Sequence, residues 1–264
     1  MLTMPYNQMF FFAALFFYAL AAVLFAVYAR RNDPEHFLIF RQWLAVAVLA
    51  GAFSLVMRYR ESGHLPLVTL FEITFFYAWM ISLLYVIFAR FAMPRLAQGI
   101  VLILIDGILV WNLFMDRKIH PLNPMLNSFW LWIHVPAAML GYSAFALSFA
   151  ASIYYLIAEA RNWPREQIEK INSFLTMAGF RLLGFCIVTG AIWAKSAWGQ
   201  YWSWDPKETW ALVTFLIYGG AVLARKVFKL NSKWEAILSI LGFLAMLLTF
   251  FGVALFMRSH HAYR

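Results

Sequence analysis

Eight apolar runs divide the chain, at roughly 9–29, 42–57, 67–89, 97–115, 129–158, 180–197, 208–224 and 236–257. A bilayer core about 30 Å thick takes about 20 residues of helix, so each run predicts a membrane-crossing helix, the second short and the fifth long. No run alternates polar and apolar residues as a membrane barrel strand does. The pattern therefore predicts an all-α polytopic membrane protein, a bundle of about eight transmembrane helices. No internal repeat, linker or low-complexity segment interrupts it, and residues 1–264 read as a single transmembrane domain. The first run has no basic residue before it and is followed by Arg30 and Arg31, so it reads as a retained span and not as a signal peptide.

Composition agrees with the pattern. Hydrophobic residues make up 64% of the 264, aromatic residues 19% and charged residues 12%, with a mean hydropathy of +0.73, which leaves no water-soluble surface to build. The formal charge of +9 does not indicate nucleic acid, because the basic residues lie in short clusters between apolar runs. The lone Cys186, inside an apolar run, excludes an internal disulfide, a CxxC redox pair and a thiolate metal cage.

The basic clusters report topology instead. Assigned alternately to two sides, the loops give one side Arg30, Arg31, Arg41, Arg90, Arg95, Arg161, Arg165, Lys170, Arg181, Arg225, Lys226, Lys229 and Lys233. The other side receives Arg58, Arg60, Arg117, Lys118, Lys195, Lys207, Arg258 and Arg264. The richer side is expected to face the cytoplasm, which puts both termini on the extracytoplasmic side. His64, His120, His134, His260 and His261 then share that outer side with the segment WGQYWSWDPKETW, Trp198 to Trp210, and only His36 lies inside.

Within that segment D-P-K-E reads as a helix start, with Asp205 at the N-cap, Pro206 at the first helical position and Glu208 closing a capping box. That accounts for both acids without an acid/base role. The aromatic residues exceed what an interfacial belt needs. Trp198, Tyr201 and Trp202 stand at i, i+3 and i+4, one face if the segment is helical, and Trp204 and Trp210 flank the turn. Such a surface suits a large flat ligand with a polar edge, and an aromatic belt at a membrane interface is the equal alternative at this point. His134 lies a few residues into the fifth run with Trp130 at i−4, and RSHHAYR ends the last run with His260 and His261. Two histidines beside an aromatic surface, without cysteine or a carboxylate cluster, fit the axial positions of a haem iron better than a zinc site. Glu72 and Asp106, inside the third and fourth runs, are expected to face protein or water.

WGQYWSWDPKETW resembles the tryptophan-rich WWD signature of cytochrome c biogenesis proteins of the CcsA (ResC) type, the haem-handling subunit of System II. SGHLPLVTLFE at 62–72, FWLWIHVPAAMLGY in the fifth run and HAY at 261–263 are similar to further stretches of that family, in its order. The resemblance implies a subunit of a cytochrome c haem lyase that holds haem b on the outer face. A CcsB (ResB) type membrane protein would be its partner, and apocytochrome c, with its CxxCH cysteines kept reduced by a thiol-reducing protein, its substrate. It implies His134 and His261 as axial ligands, with His260 as the one-residue alternative, and Trp198, Trp202, Trp204 and Trp210 against the haem. Lys195, Lys207 and the helix start at Pro206 are candidate propionate partners, and His64 a candidate for a haem path. The bacterial cytoplasmic membrane is the expected location, or the thylakoid membrane if the source is a plastid. In plastid-type members a further histidine stands in the span after the WWD segment; here Leu223 occupies that place, so an internal haem-entry site is not expected in that form. A haem exporter without ligation activity and a haem-free regulatory subunit are the two alternatives the residues leave open.

Overall fold

The computed structural model describes residues 5–88, 93–122 and 126–252. Eight α-helices occupy most of them: α1 Tyr6–Arg31, α2 Pro34–Ser62, α3 Leu70–Phe88, α4 Arg95–Leu113, α5 Phe129–Ala160, α6 Glu166–Trp198, α7 Pro206–Lys226 and α8 Ser232–Leu247, the last passing into a π-turn at Leu248–Gly252. There is no strand among the described residues, as the apolar pattern predicts. Seven of these helical segments, all but α7, are long and apolar enough to cross a membrane.

Two helices start well before their apolar runs. The run at 42–57 is only part of α2, because Asp33 accepts the backbone N–H of His36 at 2.8 Å and Pro34 opens the helix inside polar sequence. The run at 180–197 is the second half of α6, whose first half, EQIEKINSFLTMAG, is an amphipathic helix that no hydropathy run reveals. Arg181, assigned to a loop by the apolar pattern, therefore lies within α6.

The chain divides into two compact units, residues 1–123 and 124–264. In the first, α1 packs along α2, and Phe11 meets Phe71 and Phe75 edge-on with centroids 5.2 Å away in each case. Near its 62–72 segment Arg58 and Glu72 form a fully buried ion pair at 2.8 Å, with 3% and 1% of their side chains exposed. Glu72 also accepts the backbone N–H groups of Val68 and Thr69, each at 3.0 Å, while Arg58 donates to the carbonyls of Arg117 (2.6 Å) and Lys118 (2.7 Å).

In the second unit α5 lies against α6 and α8 through small residues, which let helices approach closely where lipid gives no hydrophobic drive. Phe145 of α5 stacks on Tyr218 of α7, centroids 3.6 Å apart and planes 6° from parallel. Gly179 of α6 backs onto Phe145 and Gly242 of α8 onto Tyr218, so neither position has room for a methyl group. A buried polar chain runs through the same core. Ser148 donates to Asn172 at 2.7 Å and meets Thr176 at 2.8 Å, and Thr176 meets Ser239 at 3.1 Å.

Candidate functional site

The tryptophan segment joins two firmly terminated helices of the second unit. α6 stops at Trp198 because Gly199 takes a left-handed conformation, φ 82°, which only glycine adopts at no steric cost. Lys195 locks this end by donating to the Gly199 carbonyl at 2.7 Å while its ammonium lies 5.5 Å over the Tyr201 ring. Tyr201 and Trp202 consequently stand in the loop. The segment is not helical beyond Trp198, so Trp198, Tyr201 and Trp202 do not share a helix face; the αL cap at Gly199 turns the chain away after the first of them.

At the other end the helix start is as the D-P-K-E pattern predicts. Asp205, buried, accepts the backbone N–H of Lys207 at 2.9 Å, and a full capping box with Glu208 opens α7 at Pro206. Glu208 turns back to accept from the Ser203 N–H (2.7 Å), the Ser203 hydroxyl (3.1 Å) and the Asp205 N–H (3.3 Å). Both carboxylates are thus occupied by the backbone of their own turn, which leaves the aromatic side chains as the surface the loop offers. Trp204 is 68% exposed and Tyr201 59%. Trp204 has φ 58°, a left-handed conformation that strains a bulky residue, and its ring meets Trp202 edge-on, centroids 5.8 Å apart. The indole Nε1 of Trp202 is buried and has no hydrogen-bond partner among the described residues, an uncompensated donor of a kind that folded proteins rarely keep. Trp198, Trp210 and Lys207 are half-buried around this turn.

His134 sits one turn into α5, after the Ser128 cap, which accepts the N–H of Trp130 at 3.3 Å. It is half-buried and lies against α6. Its Nδ1 is 3.0 Å from the Cys186 carbonyl, and its ring meets Trp193 edge-on with centroids 5.7 Å apart. Gly190, also in contact with the ring, precedes Trp198 by two turns of helix, about 12 Å along α6 at 1.5 Å per residue. The histidine and the tryptophan loop are therefore positioned by one helix. Trp193 and Gly190 were not singled out by the sequence, where they sit in a span with no motif of its own; the Gly-x-x-Trp spacing, matching one helix face, was the only signal.

His64 belongs to the first unit. It is buried, with Nδ1 3.0 Å from the Leu65 carbonyl and Nε2 3.1 Å from the His120 carbonyl, so it ties the 62–66 turn to the segment after α4. Arg58, read from the sequence only as a topology charge, is the partner of Glu72. His260 and His261 lie outside the described residues.

A helical bundle with seven spans long and apolar enough to cross a membrane defines an integral membrane protein, and between two of its helices lies the exposed aromatic loop. Residues 67–261 match the family described as Cytochrome C assembly protein. The chain belongs to that family, is a CcsA-type cytochrome c biogenesis protein, and has its role in cytochrome c maturation. It is 31% identical over 242 residues to the "Cytochrome c biogenesis protein CcsA" of Chlamydomonas reinhardtii, covering 84% of this chain and 67% of that one. It is 29% identical over 278 residues to the CcsA of Synechococcus elongatus, covering 83% and 85%. Against "Protein NrfI" of Wolinella succinogenes, identity is 31% over 84% of this chain but only 25% of that longer protein. Its fold is similar to that of a solved structure titled "Cytochrome c Heme Lyase CcmF", with a TM-score of 0.75 and 18% identity, covering 98% of this chain and 48% of that one.

Proposed function

We propose that the chain binds haem b on the extracytoplasmic face and presents it for attachment to the CxxCH cysteines of apocytochrome c, as a subunit of a cytochrome c synthase. The observation that supports this reading is that His134 of α5 packs on α6 at Gly190 and Trp193, about two turns before that helix ends in the exposed aromatic loop. A flat apolar ligand with a polar edge matches the faces of Trp204 and Tyr201, and the buried Trp202 N–H is a donor suited to an oxygen on that edge. His134 and His261, with His260 as the alternative, are the residues that would hold the haem iron, each through a neutral imidazole nitrogen. Lys195 and Lys207 flank the loop with positive charge for the propionates.

The attachment adds a thiol S–H across each vinyl group, forming a C–S bond and placing the proton on the neighbouring carbon. That step needs vinyl and thiol held together more than it needs an acid or base, which agrees with a site whose carboxylates cap a helix. A CcsB-type membrane protein is the expected partner, and a thiol-reducing protein keeps the substrate cysteines reduced. The test is the absorption spectrum of purified protein. His134→Gly is expected to abolish or shift the haem bands and added imidazole to restore them; unchanged bands in the variant refute the ligand assignment.

A further inference from the structure

We infer that one face of α6 fixes the tautomer of His134, protonating Nδ1 and leaving the electron pair on Nε2, with Gly190 and Thr189 as the positioning residues. This inference rests on the reading of His134 as an iron ligand, because it names which nitrogen ligates and what holds it.

Cys186, Thr189, Gly190 and Trp193 stand at i, i+3, i+4 and i+7 of α6 and so share one face, the face His134 packs on. Around Nδ1 that face offers acceptors. The Cys186 carbonyl, 3.0 Å away, can only accept. The Thr189 hydroxyl, 3.4 Å away, sends its own proton to the helix carbonyls of Phe185 (2.9 Å) and Cys186 (3.1 Å), and therefore turns a lone pair to the imidazole. The Cys186 sulfur lies 3.4 Å from Nδ1 and 3.8 Å from Nε2; its S–H donates to the His134 carbonyl oxygen, 3.8 Å from the sulfur, which turns a weakly accepting lone pair to the ring. The nearest of these groups, the Cys186 carbonyl, has no proton to give, so a deprotonated Nδ1 would meet its lone pair, whereas a protonated one donates to it. In a neutral imidazole the proton on Nδ1 leaves Nε2 as the basic nitrogen.

Gly190 makes this geometry possible. A Cβ at that position would lie 2.7 Å from His134 Cε1 and 3.2 Å from Nδ1, inside contact distance, so any side chain there pushes the ring off the Cys186 carbonyl. Trp193 closes the next turn with its edge-on ring. A ligating histidine whose other N–H donates to a carbonyl is a stronger base and is already oriented before the metal arrives. In this protein the backbone of a membrane helix provides that partner, and a substitution can remove it only by moving the ring.

The test uses the full-length protein in detergent. In haem-free protein labelled with 15N-histidine, the His134 signals are identified by their loss in His134→Gln. A pyrrole-type Nδ1 and a pyridine-type Nε2 are expected, and the reverse assignment or an even mixture overturns the inference. Gly190→Ala should give a mixture of tautomers, hold haem about 10–100-fold more weakly and shift the haem reduction potential upward, because a less basic ligand stabilises ferric iron less. Thr189→Val should move the potential in the same direction by less, and Thr189→Ser should leave it unchanged. Wild-type tautomer and potential in both Gly190→Ala and Thr189→Val overturn the inference. If Gly190→Ala does not fold, the wild-type spectrum and the Thr189 pair still decide. An unaltered haem spectrum in His134→Gly alongside the expected tautomer refutes the ligand reading alone.

Discussion

Replacing Glu72 by glutamine changes one atom in a buried ion pair, and the geometry predicts a large effect from it. One carboxylate oxygen accepts Arg58 Nε at 2.8 Å and the other accepts two backbone N–H groups, from Val68 and Thr69, at 3.0 Å each. Every neighbour of this carboxylate is a donor. Whichever way the amide of Glu72→Gln is turned, its NH2 points at N–H groups, leaving buried donors unsatisfied at about 1–3 kcal/mol each. Arg58, 3% exposed, also loses its countercharge, and breaking a buried pair costs about 3–5 kcal/mol. A loss of that size lowers the unfolding midpoint by on the order of 10 °C, measurable by thermal unfolding in detergent. The double replacement Arg58→Met with Glu72→Leu removes both charges and should recover most of the loss, since apolar replacement of a buried pair is often neutral. It should still speed trypsin cleavage after Arg117 and Lys118, whose carbonyls lose the guanidinium. A Glu72→Gln midpoint within about 2 °C of wild type, or a double variant no better than the single one, refutes the reasoning.

Gly242→Ala drives a methyl group to 2.6 Å from Tyr218 and should destabilise the second unit by about 1–3 kcal/mol through overpacking, read as a lowered unfolding midpoint. Glu208→Ala removes the acceptor for three donors of the tryptophan loop and is expected to weaken haem retention more than Asp205→Asn, which keeps an N-cap acceptor; haem titration of both variants checks this. Trp204→Gly should relieve the left-handed strain and raise the midpoint slightly while reducing haem binding, so a fall in both refutes the strain argument. The backbone N–H of His36, and then its side chain, hold the Asp33 carboxyl below the usual carboxylate range. Its contribution to stability is therefore present above the unfolded-state value of about 3.9 and lost as pH falls through the lower folded value. Asp33→Asn should make acid unfolding below about pH 4 shallower.

Seven of the eight described helices were legible in the sequence because apolar length is dictated by the bilayer, and the start of the remaining one, α7, because D-P-K-E carries its own capping chemistry. The first half of α6 was not, since EQIEKINSFLTMAG buries one face and exposes the other, and averaging over such a window cancels the signal. The run ending at 197 placed the end of α6 within a residue, but left open whether 198–202 are helical. A single glycine after a tryptophan does not decide that by itself; here its left-handed conformation ends the helix and Lys195 holds its carbonyl. His134 stood out as a polar group in an apolar run, but its partners are fifty residues away in α6, and Gly190 matters only through the space it leaves. Pairings of that kind, Arg58 with Glu72 among them, follow from packing and not from local pattern.

Residues 200–204 span two posts that cannot drift, the clamped end of α6 at Gly199 and the capped start of α7 at Asp205. Five residues reach at most about 17 Å, so the bridge can flex but cannot extend toward a visitor. Under the proposed function, a ligand on this bridge is held at a fixed height above the helix ends. The left-handed Trp204 backbone carries its strain in the middle of that bridge, and the two fixed ends confine any relief of it to the five residues between them.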